Sequence, residues 1–269
     1  MASKGNLRLI RSEPIGDDLA GCGAVKSAKR VLEIFEFFAE RQAAATVGEV
    51  VDALGWPQSS TSNLLKSLVQ LRYLAYDGQT RSFLPTMRIA LLGGWVHDKM
   101  FSSISLVGLL ETLRATTGHT VLLGMQNDIW VQYIHVILAD LEDWYIKSGS
   151  LRPLCRAAVG RVLLTLKSDV DVLGLARRIN AEESNPERYI RSGELLAELD
   201  LIRRQGYAYT EGTVIPNNGV IAVELPTPAS QAPLAIGIGC PIPLLRRDRD
   251  KIVSLLQEAV RPYSHASGA

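Results

Sequence analysis

The sequence predicts a two-part α+β protein: a small helical head with a β-hairpin, then an antiparallel sheet covered by helices. Three observations carry this. Residues 45–88 hold two short amphipathic stretches joined at Gly55, then two strand-prone runs around Asp77-Gly78. From Thr120 the apolar pattern becomes β-branched and aromatic, as in VLLGMQ and IWVQYIHVI. Helix-period stretches and two further strand runs follow, and strands, then helices, then strands give an α+β domain.

The elements are read in chain order. Val25 to Glu40 is a helix with Val31, Ile34, Phe35 and Phe38 as its buried stripe and Lys29, Arg30, Glu33, Glu36 and Glu40 on its other faces. In the next helix Val47, Val50, Val51 and Leu54 share one face, and Gly55 ends it. Pro57 opens a third, at or near a first turn where its missing N–H is harmless. At about 100° per residue, Leu64, Leu65, Leu68 and Leu71 gather on one side, with Thr61 leaning towards them. Ser59, Asn63, Lys66 and Gln70 form a stripe opposite, flanked by Ser60, Ser62 and Ser67. That face holds no acid, whereas a merely solvated helix mixes Glu with Lys. Short donors and acceptors suit a helix lying in a DNA major groove. The runs Tyr73 to Tyr76 and Arg81 to Leu84 around Asp77-Gly78 predict a hairpin, with Arg81 on it to meet phosphate or a minor groove. Together these elements make a winged helix-turn-helix, a DNA-binding head.

After Pro85, helical periodicity holds through Ile89 and Leu92, loosens at Gly93-Gly94 and resumes from Ile104 to Leu113. The double glycine predicts a bend between domains, in an amphipathic linker that can pair with a second subunit. Asn127-Asp128 predicts a hairpin turn, and Trp144-Tyr145-Ile146 a third strand. Ala157 to Lys167 and Val170 to Ile179 read as helices, and Ser192 as the cap of another. The strands GVIAVEL and PLAIGIG precede a closing helix from about Leu245 to Tyr263. The expected boundaries are a mobile leader at 1–24, the head at 25–86, a linker helix at 87–100 and the sheet domain at 101–267.

Composition bounds the function. With 29 Lys+Arg against 28 Asp+Glu, net charge is +1, so DNA affinity must come from a local surface, doubled in a dimer. Cys22, Cys155 and Cys240 lie far apart with no C-x-x-C, as reduced thiols in a cytoplasmic protein would. The amino terminus has no long apolar core, and no run is long enough to cross a bilayer, so neither a signal peptide nor a membrane partner is expected. His97, His119, His135 and His265 lack metal spacing; H-E-x-x-H, Walker A, G-x-S-x-G and strand-borne G-x-G-x-x-G patterns are missing. No catalytic residue, metal or cofactor is expected.

VKSAKRVLEIFEFFAE, LGWPQSSTSNLLKSLVQLRYL and the Asp-Gly wing, then TGHTVLLG, SGSLRPLCRAAVGRVLL, L-x-x-I-R-x-x-G-Y at Leu199 to Tyr207 and AIGIGCP, occur in an order and spacing that resemble the isocitrate lyase regulator (IclR) family of bacterial transcription factors. The resemblance covers nearly everything after Val25. It implies a winged-helix head, a linker helix and a GAF/PAS-like effector domain, working as a dimer or dimer of dimers on double-stranded operator DNA. RNA polymerase is a further partner where the regulator activates. By position, the reading helix would use Gln58, Ser59, Ser60, Ser62, Asn63 and Lys66. Where members often carry His-Arg, this chain has Ser62-Asn63, and Asn63 suits bidentate pairing with adenine. The resemblance also implies a small organic acid effector in a cavity lined by Leu141, Trp144, Ala158, Val159, Thr210, Asn218, Val220, Ile236, Gly237 and Gly239. Gly237 and Gly239 leaving room, with the flat face of Trp144, favours an aromatic acid, and Arg156 is a candidate carboxylate partner. Two other readings stay open from sequence alone: an enzyme using the Cys155 thiol, and an interaction module that kept the winged fold but lost DNA binding.

Overall fold

Helix α1 (Lys26–Arg41) forms because its apolar residues recur at helical spacing; Ile34 and Phe38 are buried and Val31 and Phe35 partly so. The structure, a computed structural model, describes residues 25–92, 105–139, 146–228 and 231–268. The expected leader, the Gly93-Gly94 bend, Leu141, Trp144 and Tyr145 lie outside the described residues. Two compact units, Met1–Trp95 and Val96–Ala269, make up the chain.

In the first unit α1 is followed by β1 (Ala45–Thr46), α2 (Val47–Leu54), α3 (Gln58–Gln70), β2 (Leu74–Asp77) and β3 (Ser82–Pro85). A capping box starts α2: Thr46 Oγ1 accepts from the Glu49 N–H at 3.4 Å, and the Glu49 carboxylate accepts from the Thr46 N–H at 2.8 Å. Gly55 ends α2 at φ 66°, a left-handed conformation that glycine adopts without strain. Ile34, Phe38, Val50, Leu65, Leu68, Leu74 and Phe83 make one core beneath a three-stranded sheet ordered β1-β3-β2. Leu71, expected in that core, is instead 57% exposed. It caps α3, and Arg72 turns left-handed at φ 64°, so the N–H groups of Arg72 and Tyr73 return to the carbonyls of Val69 and Leu68. That reversal directs Leu71 outwards.

The wing also differs from expectation. Asp77 pairs with Ser82, so residues 78–81 connect the strands, one position later than the expected connection at 77–80. The Asp77 carboxylate shapes this loop by accepting from the Gln79 N–H and the Thr80 hydroxyl, each at 2.8 Å. The left-handed position falls on Arg81, at φ 53°. Helix α4 is described over residues 87–92, with Met87, Leu91 and Leu92 exposed.

The second unit runs α5 (Leu106–Thr117), β4 (Thr120–Asn127), β5 (Trp130–Ile137), β6 (Leu151–Pro153), α6 (Ala158–Thr165), α7 (Asp169–Glu182), α8 (Ser192–Gln205), β7 (Ala208–Glu211), β8 (Asn218–Leu225), β9 (Leu234–Pro241), α9 (Ile242–Arg247) and α10 (Arg249–Val260), then a 3-10 turn at Arg261–Gly268. All neighbours in the six-stranded sheet, ordered β6-β5-β4-β9-β8-β7, are antiparallel. The strand after β5 is Leu151–Pro153, and Ile146 lies in no strand. Ser192 is the first residue of α8 rather than its cap, and the closing helix breaks at Asp248.

Helices cover both faces of this sheet, which is why β9 reads as an unbroken apolar run. Leu234, Ile236, Ile238 and Cys240 join one cluster with Leu110 and Leu113 of α5, Leu245 of α9 and Ile252 and Leu256 of α10. On the other face Leu122, Val131, Tyr133, Ala208, Ala222 and Ala235 pack against α6, α7 and α8. Small residues on this second face let α6 sit very low. A side chain at Gly124 would meet Val159 at 2.9 Å, and one at Gly160 would lie 2.0 Å from the Leu154 carbonyl oxygen.

Candidate functional site

The head presents α3 as its polar face. Thr61, Leu65 and Leu68 point inward, and the Thr61 hydroxyl donates to the Pro57 carbonyl at 3.0 Å. Gln58, Ser59, Asn63, Lys66, Ser67 and Gln70 are exposed, while Ser60 and Ser62 are half-buried. The hydroxyl protons of Ser60 and Ser67 are engaged by the carbonyls of Pro57 (3.0 Å) and Asn63 (2.9 Å), leaving their oxygens as acceptors. Among the described residues, nothing hydrogen-bonds the Asn63 side chain and no acid pairs with Lys66. No side chain caps α3 and its first turn holds no acid, so its amino-terminal N–H groups and positive dipole end are left without a side-chain partner.

Charge is polarised along the head. Residues 53–92 carry Lys66, Arg72, Arg81 and Arg88 against the single acid Asp77. That acid is internally engaged: the Thr80 hydroxyl and then the Gln79 N–H hold its carboxyl below the usual carboxylate range. Arg81 is exposed on the wing loop, as expected. Arg88 is structural instead, donating to the Leu71 carbonyl at 3.1 Å and stacking over Tyr73 at 4.7 Å. Exposed Arg72, at the end of α3, was not among the expected contacts.

In the second unit, a cavity lies between the sheet and α6. It is lined by Leu122, Tyr133, Ile146, Arg152, Ala157, Ala158, Thr210, Asn218, Gly219, Val220 and the loop residues Thr213, Val214 and Ile215. Its volume is about 20 Å³, room for a water molecule and not for a ring. Of the expected lining residues, the structure brings together Ala158, Thr210, Asn218 and Val220. Val159 is fully buried, and Gly237 is packed rather than open: a side chain there would meet Val220 at 3.1 Å and Val159 at 3.2 Å. Gly239 pairs with Val220 and Thr120 within the sheet and does not line the cavity. Ile236 belongs to the cluster on the opposite face, as strand alternation requires.

Arg156 also falls elsewhere. It opens onto a separate groove of about 240 Å³ with Cys155, Arg161, Tyr189, Arg191 and Glu198, and it donates to the Arg188 carbonyl. The cation in the cavity is Arg152. Its cross-strand partner is Val131, so its side chain shares the face of Val131 and Tyr133 that α6 covers. Placing the third strand at 144–146 had hidden this pairing. Burial pulls the Arg152 guanidinium below its ordinary value and pushes the Tyr133 phenol up to about 12. The Cys155 thiol is buried and pushed up to about 11 by that burial, against the pull of Arg161 and Arg156, which disfavours the reactive thiolate. Among the described residues, no group of His, Cys, Asp or Glu is placed to hold a metal ion.

The loop that walls the cavity is braced at both ends. Gly212 and Asn217 are left-handed at φ 63° and 65°, and the Thr213 hydroxyl donates to the Arg156 carbonyl at 2.9 Å. At its start Glu211 accepts a fork from Arg246 at 2.8 and 2.6 Å and a hydrogen bond from the Tyr209 hydroxyl. The Arg246 fork, then Tyr209, lowers the Glu211 carboxyl from an ordinary 4.5 to about 2. A carboxylate depressed in the folded state contributes stability above its unfolded pKa, and that contribution fades as pH falls from about 4.5 towards 2. Glu211→Gln is therefore expected to lower the melting temperature at pH 7. It also flattens the loss on acidification through that window, measured by circular dichroism; an unchanged acid limb counts against the clasp.

Comparison with known proteins agrees with these two parts. A model described as the IclR helix-turn-helix domain matches residues 27–78, and one described as the bacterial transcriptional regulator IclR C-terminal domain matches residues 103–265. The transcriptional regulator KdgR of Escherichia coli (strain K12) is 25% identical over 251 residues, covering 91% of this chain and 94% of that protein. KdgR of Dickeya chrysanthemi is 24% identical over 254 residues, covering 91% and 81%. An IclR transcriptional regulator from Alicyclobacillus acidocaldarius has the same fold, with a TM-score of 0.61 at 21% identity over 91% of this chain and 100% of that one. These relatives are named as regulators and not as enzymes. Among the described residues no helix is long and apolar enough to cross a membrane. With a helix-turn-helix head that ends in a wing, and an effector domain whose sheet encloses a small cavity, this chain belongs to the IclR family of bacterial transcriptional regulators.

Proposed function

We propose that the protein works in the cytoplasm as a homodimer or dimer of dimers. In it the head (25–86) binds operator DNA and the effector domain (101–267), joined through the linker (87–100), takes a small organic acid that alters this binding. Helix α3 enters the major groove, with Gln58, Ser59, Ser60, Ser62 and Asn63 at base edges and phosphates, Lys66 on phosphate and Arg81 on phosphate or in the minor groove. The observation that carries this reading is the acid-free exposed face of α3, on which the Asn63 amide and Lys66 ammonium have no partner among the described residues. Two heads would read half-sites about 34–36 Å apart, or a multiple of that. Exposed Met87, Leu91 and Leu92 on α4 support pairing of subunits along the linker.

The small cavity bears on how the effector acts. An acid of even a few carbons needs more than about 20 Å³, so it binds only a form in which the wall has moved. A ligand that favours that form shifts the population of head arrangements by its differential affinity, and ~1–3 kcal/mol, roughly 5–150-fold, switches a promoter. Selection of duplexes from a randomised pool by the full chain, followed by fluorescence anisotropy, tests the reading. The expected result is an enriched two-fold symmetric site bound ~10³-fold or more tighter than random sequence. Enrichment of no sequence would refute it.

A further inference from the structure

The cavity wall carries one charge and no counter-charge. Among its lining residues, Arg152 is the only ionised side chain, and no acid pairs with it among the described residues. Other ion pairs of this unit are already closed: Arg161 with Glu198, Arg191 with Glu194 and Arg246 with Glu211. The described hydrogen bond of the Arg152 side chain goes to the Leu151 carbonyl at 2.7 Å, which leaves most of its five donors unused. Tyr133, 3% exposed, lines the same cavity, and none of its described hydrogen bonds uses the phenol hydroxyl. Thr210, Thr213 and Asn218 add short polar groups on the facing wall. A half-buried guanidinium without an anion is a cost to the fold unless an anion arrives.

We propose that Arg152 is the anchor for the effector's carboxylate, with the Tyr133 hydroxyl as a second donor. The ligand class is then a compact monocarboxylic acid whose remaining hydroxyl or oxo groups face Thr210, Thr213 and Asn218. This deepens the effector reading given above and rests on it. The planar fork of arginine matches the two carboxylate oxygens, which an ammonium would not. Lining by threonines and asparagine beside an apolar wall of Leu122, Ile146 and Val220 suits a short hydroxylated or oxo acid better than a bare hydrocarbon acid.

The test uses the full-length protein and four acids, pyruvate, D-gluconate, benzoate and 4-hydroxybenzoate, against the neutral methyl pyruvate, D-glucose, benzamide and 4-hydroxybenzamide. Thermal shift and calorimetry are read on the parent, Arg152→Met, Arg152→Lys and Tyr133→Phe. The expected result is that at least one acid, and no neutral counterpart, raises the parent's melting temperature. Arg152→Met weakens that acid roughly 10–100-fold, with Arg152→Lys intermediate and Tyr133→Phe losing less. Ligand-free Arg152→Met should melt no lower than the parent, because an unpaired cation has been replaced by an apolar chain of similar length. That readout separates lost anchoring from lost folding. Undiminished acid binding by Arg152→Met overturns the anchor, as does a neutral counterpart binding the parent as tightly as its acid. A neutral compound that changes operator affinity would leave the effector reading standing and the anchor refuted. If none of the eight compounds raises the parent's melting temperature the anchor is refuted, while the effector reading is judged separately by whether operator affinity responds.

Discussion

Changing both Asn63 and Lys66 to alanine is expected to abolish specific operator binding while leaving the melting temperature of the head unchanged. Both side chains are exposed and neither has a partner among the described residues, so the fold loses nothing by their truncation. On DNA the losses differ in kind. Asn63→Ala removes a bidentate base contact worth about 1–3 kcal/mol and relaxes preference at one position. Lys66→Ala weakens binding to all sequences and reduces the slope of log affinity against log salt by about one. Together they amount to ~100-fold or more, read by anisotropy at two salt concentrations. A double variant that binds as tightly as the parent would show that α3 is not the reading helix.

The largest effect on stability is expected at Gly160, for which alanine is an ordinary helix former. Here the added methyl would lie 2.0 Å from the Leu154 carbonyl oxygen and 2.8 Å from a Val131 methyl. A flexible side chain can give way, but backbone cannot, so α6 must lift from the sheet. Overpacking typically costs about 1–3 kcal/mol and more where backbone is struck; about 3 kcal/mol or more is expected for Gly160→Ala. For a domain of this size that corresponds to a fall of roughly 6–12 °C, measured by calorimetry. Lifting α6 also unpacks Ala158 from the cavity wall, so any ligand shift should vanish with it. A melting temperature within a degree of the parent's would disprove the tight seat of α6.

What the sequence made legible was what is local. The three helices of the head and the polar face of α3 follow from period alone, and both appear in the structure; alternation along β9 would have separated Ile236 from Gly237, and the expected cavity lining ignored it. Leu71 was counted with the apolar leucines of α3, and the left-handed turn at Arg72, which helical period does not show, directs it outwards. The cavity was half legible, through Ala158, Thr210, Asn218 and Val220. What failed there depended on contacts distant in sequence. Gly237 looks like vacant space along its own strand, and Val220 from β8 and Val159 from α6 together fill it. Arg152 reads as a loop cation until β6 pairs it with Val131, twenty-one positions earlier in the chain. Arg156 came forward through the family resemblance, and the structure turns it to the Arg188 carbonyl instead.

The outermost strands of the large sheet, Leu151–Pro153 and Ala208–Glu211, are only three and four residues long, and the first ends in a proline without an N–H to donate. Strands this short offer another copy little main chain to pair with, which disfavours extending the sheet from its two outermost strands. Concentrated solutions of this regulator should therefore resist ribbon growth and amyloid-like stacking, leaving its helical surfaces as the means of self-association.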